Sequence, residues 1–434
     1  MTVARALAEW AHEYRATPDD LALAERALAD TVAVALAART HPLRSVAAPL
    51  PDAARWAAMA HVLDFDDLHT DTTTHVSVVT VPAVLAVGGD ARAYLAGAGV
   101  MARLGAMLGW EHYAAGWHAT CTAGAPAAAV AAGVALGLDA AGLATAMALA
   151  VPAAGGVQEA FGTHGKSLQV GFAADAGVRA ARLARAGATA DPRALEAWLK
   201  RVGGTVSGFP GTPAVPGGLA VKLFPCCYAM QRPIAALREV RDQLGGDHAV
   251  REPVSGGRLG RGQVGAEISA ITVTTPAGTV QPLIHDRPGT GLEGKFSLPY
   301  AVATALLDDY PGFDSFTDEA VRRPEALRLI DRVRTVLLPG ENRTLLDGEV
   351  RLRIELADGG EVCTESALPP GSPGRPPSDD DLRAKAAACG PEVPALLDGL
   401  TWAGAREVLR TRFPYQETRF AHEDTQLPHE DQEA

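Results

Sequence analysis

Apolar and small residues recur at helical spacing through residues 1 to about 220, in windows at Leu7–Tyr14, Leu21–Ala38, Ala91–Leu108, Gly124–Leu136, Ala141–Ala150 and Val170–Ala186. Met1–Ala16 also reads as an amphipathic helix, and Pro51–Ala60 is Ala-rich and helical in pattern. Gly137-Leu-Asp139 and Gly187-Ala-Thr189 look like helix stops that supply a cap for the next helix. Alanine and glycine on most faces let helices approach closely, so this half is expected to be an all-helical bundle.

The texture changes near Phe224. Pro233–Val240 reads as a helix, whereas Glu267–Thr274 and Glu349–Glu355 alternate as strands do. Phe296–Leu307 and Glu319–Val336 look helical. Helices with a few non-adjacent strands predict a small α+β unit. Leu368–Ser378, rich in Pro and Gly, reads as a linker, and Asp379–Ala388 and Val393–Arg412 return to helix. From Gln416 the tail is acidic and polar, with order expected only from packing on a neighbour.

Composition narrows the functional classes. The chain has 434 residues, 47% hydrophobic and 21% charged, which is a globular balance. Its net charge of -12, from 51 acidic and 39 basic residues without a Lys/Arg run, argues against nucleic-acid binding. The most apolar stretch, Ala140–Val157, is mainly Ala and Gly and holds Pro152, so no membrane span is expected. The first residues lack a secretory pattern and the five cysteines form no CxxC pair, which together predict a cytoplasmic protein with reduced thiols.

The densest chemistry runs from His61 to His75, where three histidines (His61, His69, His75) and four carboxylates (Asp64, Asp66, Asp67, Asp71) fall within 15 residues. They lie at a helix end and loop between apolar segments, where catalytic groups usually sit. Histidine changes charge near neutral pH, which suits it to proton transfer. A metal site is the rival reading, but the three histidines are spaced by eight and six rather than by the four of a helical two-His motif. The bland alternative is that Asp66 and Asp67 cap helices and the histidines are solvated.

Three further pieces stand out. Ala160–Ser167 nearly spells a phosphate-binding loop, yet Ala160 replaces its first glycine and no strand precedes it, so nucleotide binding is rejected. Lys166 there heads a small-residue helix, whose N–H groups together with the ammonium suit a carboxylate. Lys222 stands where the helical half gives way to the mixed half, a place ligand clefts favour, although a lone lysine is more often a solvated surface group. His118 precedes a Gly/Ala helix, where its charged form is disfavoured. It can equally be a hydrogen-bonded core histidine.

Five blocks in order resemble the MmgE/PrpD family, which includes 2-methylcitrate dehydratase, cis-aconitate decarboxylase and iminodisuccinate epimerase. They are Leu63–Asp67 with His75-Val-Ser77 and Pro82-Ala83; Gly116-Trp-His118-Ala-Thr120 leading to Gly124 and Leu136–Asp139; Lys166–Ala174 with Gly177 and Ala180–Ala184; Lys222–Cys227; and Lys295–Ala303. The resemblance implies a mainly α protein: a large helical domain built from both chain ends, 1–221 and 376–434, with a smaller α+β lid, 222–375, inserted between them. It also implies a homodimer and an active site at the domain junction without metal or organic cofactor. Position by position, it implies Asp64, His75 and His118 as catalytic groups and Lys166, Lys222 and Tyr300 as substrate-binding groups.

Chemistry of this kind breaks a bond next to a carboxylate and passes through a carbanion-like intermediate. Fixed positive charge from Lys166 and Lys222 would stabilise it, His75 and His118 would move protons, and Asp64 would orient a histidine. The expected function is a lyase, a dehydratase or decarboxylase of a small carboxylic acid. An isomerase or epimerase, or a non-catalytic ligand-binding dimer, are the alternatives. Leu68, Gln169 and Gln231 replace the Thr, His and His usual in the family, which points to a substrate other than methylcitrate or cis-aconitate.

Overall fold

A computed structural model describes residues 1–208, 211–245, 268–340 and 344–417; nearly all of the acidic tail lies outside them. The first part is a helical bundle: α1 Val3–Glu13, α2 Pro18–Ala37, α3 Leu43–Ala47, α4 Asp52–His61, α5 Ser77–Val87, α6 Ala91–Ala114, α7 Ala119–Ala135, α8 Ala140–Ala150, α9 His164–Arg185 and α10 Arg193–Arg201. Side-chain caps set several starts. Thr17 and Asp20 form a capping box at α2, and Asp90, Asp139 and Thr163 accept from backbone N–H groups at α6, α8 and α9. The expected end of α6 at Leu108 is a kink, where Gly109 takes φ 68° before the helix resumes.

Helix α7 is the axis of the bundle, buried from Ala119 through Val134. Its alanines bury little area each, so the stabilisation comes from the closeness of backbone contact that small side chains permit. A Cβ on Gly177 of α9 would fall 2.4 Å from Cβ of Ala128 and 2.6 Å from the Ala129 amide nitrogen.

The second part follows Phe224: α11 Gln231–Gly245, α12 Leu298–Leu307, α13 Pro324–Ile330, and the strands β1 Ile268–Pro276, β2 Val333–Leu338, β3 Val350–Leu356 and β4 Glu361–Ser366. The sheet order is β2-β1-β3-β4, with β1 parallel to β2 and the other pairs antiparallel. Two expectations fail here. Glu319–Val336 is not one helix: Asp318–Arg322 and α13 are separated before Pro324, and Val333 onward is strand β2, in register with β1 from Ile271↔Val333 to Pro276↔Leu338. Proline ends the first turn, and pairing to the open edge of β1 overrides the local pattern. Val393–Arg412 is likewise interrupted, by Gly399 at φ 63°, before α15 Trp402–Arg412; α14 Asp379–Ala388 forms as expected.

Among the described residues two large apolar cores result, with two smaller clusters beside them. One draws on residues from Val3 to Val215 and again on Cys389, Val393, Ala405, Leu409 and Phe413. The other draws on Phe161, residues from Phe224 to Leu237, and residues from Ile268 to Leu356. The chain passes between them at Val221 and again near Gly371, and the Val221 N–H donates to the Gly371 carbonyl at 2.8 Å. Gly371 is required there, since its φ is +85° and a Cβ would meet the Val221 carbonyl oxygen. Among the described residues no helix is long and apolar enough to cross a membrane, and the five cysteines are free thiols.

Candidate active site

The His61–His75 segment leaves the last turn of α4, makes a tight corner and enters α5. Asp64 sits at the corner with φ 52°, a strained value for a residue with a Cβ. Three buried lysines from distant parts of the chain hold that corner by consecutive carbonyls. Lys295 donates to Leu63 at 2.9 Å, Lys222 to Asp64 at 2.9 Å and Lys385 to Phe65 at 2.8 Å. Leu68 is pinned by a backbone bridge to Ala220, and Asp67 accepts from the Ser77 N–H that opens α5.

The Asp64 carboxylate lies between two ammoniums, with Lys166 at 2.8 Å from Oδ1 and Lys222 at 3.1 Å from Oδ2. Burial alone would raise its pKa; Lys166 and Lys222 outweigh burial and hold it far below the usual carboxylate range. Asp66 has the corresponding place among histidines, 2.9 Å from Nδ1 of His61 and 2.8 Å from Nδ1 of His75. Against its burial, those two rings keep it ionised. Lys166 also lies 2.5 Å from Nε2 of His61, joining the two carboxylates into one network.

Each histidine is neutral for the same dominant reason. Burial pushes His75 down to about 3, and burial followed by the Lys166 charge pushes His118 well below its ordinary value. His118 is the N-cap residue of α7, as its place before the Gly/Ala helix suggested; its ring meets Phe161 edge-on at 5.0 Å and lies 5.9 Å from that of His61.

Four of these groups, Asp64, His75, His118 and Lys166, line a pocket that opens to solvent and encloses, with its mouth, about 330 Å³. Asp64, Leu68, His75, His118 and Lys166 reach it from the first core, and Cys227, Tyr228 and Phe296 from the side of the second. Of the residues singled out in the sequence, Asp64, His75, His118, Lys166 and Lys222 come together. Lys222 stands behind Asp64, fully buried and outside the pocket lining. Tyr300 does not join them: it is buried in the second core and its hydroxyl donates to the Ser315 carbonyl. Gln231 is also away from the pocket, its amide tying the Leu223–Cys226 loop by backbone contacts. His61, Asp66 and Lys295 were missed as site residues. The first two belong to the dense cluster and pair with each other at a separation of five, whereas Lys166, which His61 also meets, lies 105 positions away.

His61, Asp64, Asp66 and His75 bring ligand-type atoms within 4.8 Å of one another. A divalent cation fits poorly there, because Lys166 and Lys222 already face Asp64 and would repel it.

Residues 44–204 match the MmgE/PrpD N-terminal domain and residues 224–395 the MmgE/PrpD C-terminal domain. The chain belongs to the MmgE/PrpD family. Within the MmgE/PrpD family it is similar to cis-aconitate decarboxylase of Aspergillus terreus, 26% identical over 360 residues, covering 74% of this chain and 70% of the relative. A second cis-aconitate decarboxylase, from strain NIH 2624 / FGSC A1156 of that organism, is 26% identical over 361 residues with the same coverage. The two matched segments hold every residue that lines the pocket, although the first core extends beyond them at both ends.

Proposed function

We propose that this chain is a lyase that acts on a small carboxylic acid by proton transfer through a carbanion-like intermediate. The observation that carries the proposal is a charge imbalance beside the pocket. Three buried ammoniums, Lys166, Lys222 and Lys295, stand against two ionised carboxylates, Asp64 and Asp66, while the adjacent histidines are neutral. Burial pushes Lys295 down to about 8, which still leaves it mostly charged at neutral pH. A water-poor site with surplus positive charge favours an anion and, more strongly, the additional negative charge that develops as a bond next to a carboxylate breaks. The similarity to cis-aconitate decarboxylases supports the same class of reaction.

In a decarboxylation the electrons of the broken C–C bond remain on carbon, CO2 departs, and a ring N–H supplies the proton. In a dehydration a ring nitrogen removes a proton, its electron pair becomes the double bond, and hydroxide leaves as water after protonation. Neither step needs an external oxidant or reductant. Leu68 brings an apolar side chain to the pocket wall, which favours a substrate with an apolar group at that point. We further propose that residues 222–375 form a lid over the helical part and that the protein is a homodimer.

Incubation of the purified protein in heavy water with a panel of small polycarboxylates, followed by mass spectrometry, tests the proposal. Loss of about 18 mass units for dehydration, or of about 43 for decarboxylation with one deuterium taken up from the solvent, is the expected result. Deuterium uptake without loss of mass would replace the lyase by an isomerase, and no change with any acid would overturn the reading.

A further inference from the structure

We infer that Gln169 is a positioning residue that fixes the neutral tautomer of His118 with its hydrogen on Nε2, so that His118 offers the pocket an N–H donor while His75 offers it a lone pair. The catalytic part of this inference rests on the proton-transfer reading of the pocket; the tautomer itself does not.

The argument begins with a short backbone ribbon. Trp117 and Val157 face each other in an antiparallel bridge, closed by the His118 N–H donating to Gly156 at 2.9 Å and the Gln158 N–H donating to Gly116 at 2.8 Å. This pattern leaves the N–H and C=O of Val157 directed away from Trp117. Gln169, on the first turns of α9, takes both. The Val157 N–H donates to Oε1 at 3.2 Å, and Nε2 donates to the Val157 carbonyl at 3.2 Å. Turning the amide over would set oxygen against oxygen and N–H against N–H. The backbone therefore decides which end of the amide is which, a choice that usually has to be inferred from the surroundings.

The same Nε2 lies 2.7 Å from Nδ1 of His118. An amide NH2 group only donates, so Nδ1 of His118 must hold its lone pair toward Gln169. Cys121 is compatible with this assignment: Sγ is 3.2 Å from Nδ1, and burial raises the thiol pKa so that it keeps a hydrogen to donate. A neutral ring with a bare Nδ1 carries its hydrogen on Nε2, and no described residue is hydrogen-bonded to that nitrogen.

His75 has the opposite arrangement. Its Nδ1 lies 2.8 Å from the ionised Asp66, outside hydrogen-bond geometry, and the attraction of that carboxylate for an N–H favours the hydrogen on Nδ1 and the lone pair on Nε2. Asp66 and Gln169 thus divide two similar imidazoles into an acceptor and a donor. In dehydration His75 Nε2 takes the proton from carbon and His118 Nε2–H goes to the departing hydroxide, releasing water. In decarboxylation the carbon left by CO2 takes the His118 proton, and water restores it. The amide that first reads as the loss of a titratable group supplies a fixed polarity, whereas a histidine at 169 could turn either tautomer toward His118.

The test is nitrogen NMR of the full-length protein labelled with 15N-histidine, with His118 assigned by comparison with His118→Asn. Two-bond proton–nitrogen correlations should show a protonated Nε2 and a bare Nδ1 in the unsubstituted protein without any substrate. In Gln169→Glu the carboxylate should draw the hydrogen to Nδ1, and turnover on a substrate found by the heavy-water panel should fall about 100-fold. A protonated Nδ1 in the unsubstituted protein overturns the tautomer, whether or not the variant folds. A hydrogen moved in Gln169→Glu with turnover unchanged overturns the positioning role. An inactive protein with the expected spectrum counts against the lyase reading alone.

Discussion

The ammonium of Lys166 lies 2.5 Å from Nε2 of His61, which makes an uncharged imidazole the link between the carboxylates of Asp64 and Asp66. His61 must accept from Lys166 on one nitrogen and donate to Asp66 from the other, which no apolar side chain of that size can do.

His61→Leu is therefore expected to destabilise the protein by about 2–5 kcal/mol, because it strips a partner from two buried charged groups. Thermal melting checks the loss. Turnover should fall with it, since His75 then shares Asp66 with no second ring; a variant as stable as the parent would show that the link carries no energy.

Lys385 gives a cleaner energetic test because it lies outside the pocket lining. It pairs with buried Asp30 at 2.5 Å and donates to the Phe65 carbonyl. Lys385→Met should cost about 3–5 kcal/mol by leaving Asp30 uncompensated. In Lys385→Met with Asp30→Asn part of that loss should return, so a double-mutant cycle by denaturant unfolding should give a coupling well above 1 kcal/mol. Additive losses would mean that the pair is not coupled.

Stability should also fall on mild acidification. Burial holds His75 at about 3 and His41 at about 4 in the folded chain, and lowers His61 and His118 too. Unfolded, each takes a proton near pH 6.5, so unfolding takes up protons as the pH drops below that value. Burial lowers His69 and His112 as well, whereas Asp67, pushed up to about 7 by burial, and Asp30, raised for the same reason, work in the opposite direction and offset part of the effect. The unfolding free energy should drop by about 1–3 kcal/mol per unit between pH 6 and 4.5, measured by urea titration at each pH. A flat profile would contradict the neutrality of these rings.

The close helix packing makes its own forecast. Gly177→Ala places a methyl against Ala128 and the Ala129 backbone, which cannot yield as a flexible side chain would. A loss of about 1–3 kcal/mol is expected in calorimetry, with the pocket chemistry retained in the protein that remains folded.

Much of the helical half was legible because its signals are local. Asp90, Asp139 and Gly137 mark helix ends within a few residues, and the Ala-rich windows of α7 and α9 have no competing pattern. Strand β2 was misread because Val333–Leu338 follows a helix directly and owes its form to β1, more than fifty residues earlier. Strand β4 went unread because Glu361, Thr364, Glu365 and Ser366 give it little apolar alternation. In the site, Asp64, His75 and His118 announce themselves by chemistry. The bond from Lys166 to His61, by contrast, spans 105 positions, and nothing near Tyr300 reveals that its hydroxyl is occupied by Ser315.

The three lysines at the Leu63–Phe65 corner also bear on the order of folding. Their carbonyl partners lie 232, 158 and 320 positions away along the chain, so the corner is secured last by a segment close to the C-terminal end. Loop closures of that length are slow to form. During synthesis the helices of the first half can assemble while Asp64 remains unstrained and its carboxylate unplaced. Competence for chemistry then arrives with the final helices rather than with the bundle, and a chain released before residue 385 should carry most of the fold without a finished catalytic corner.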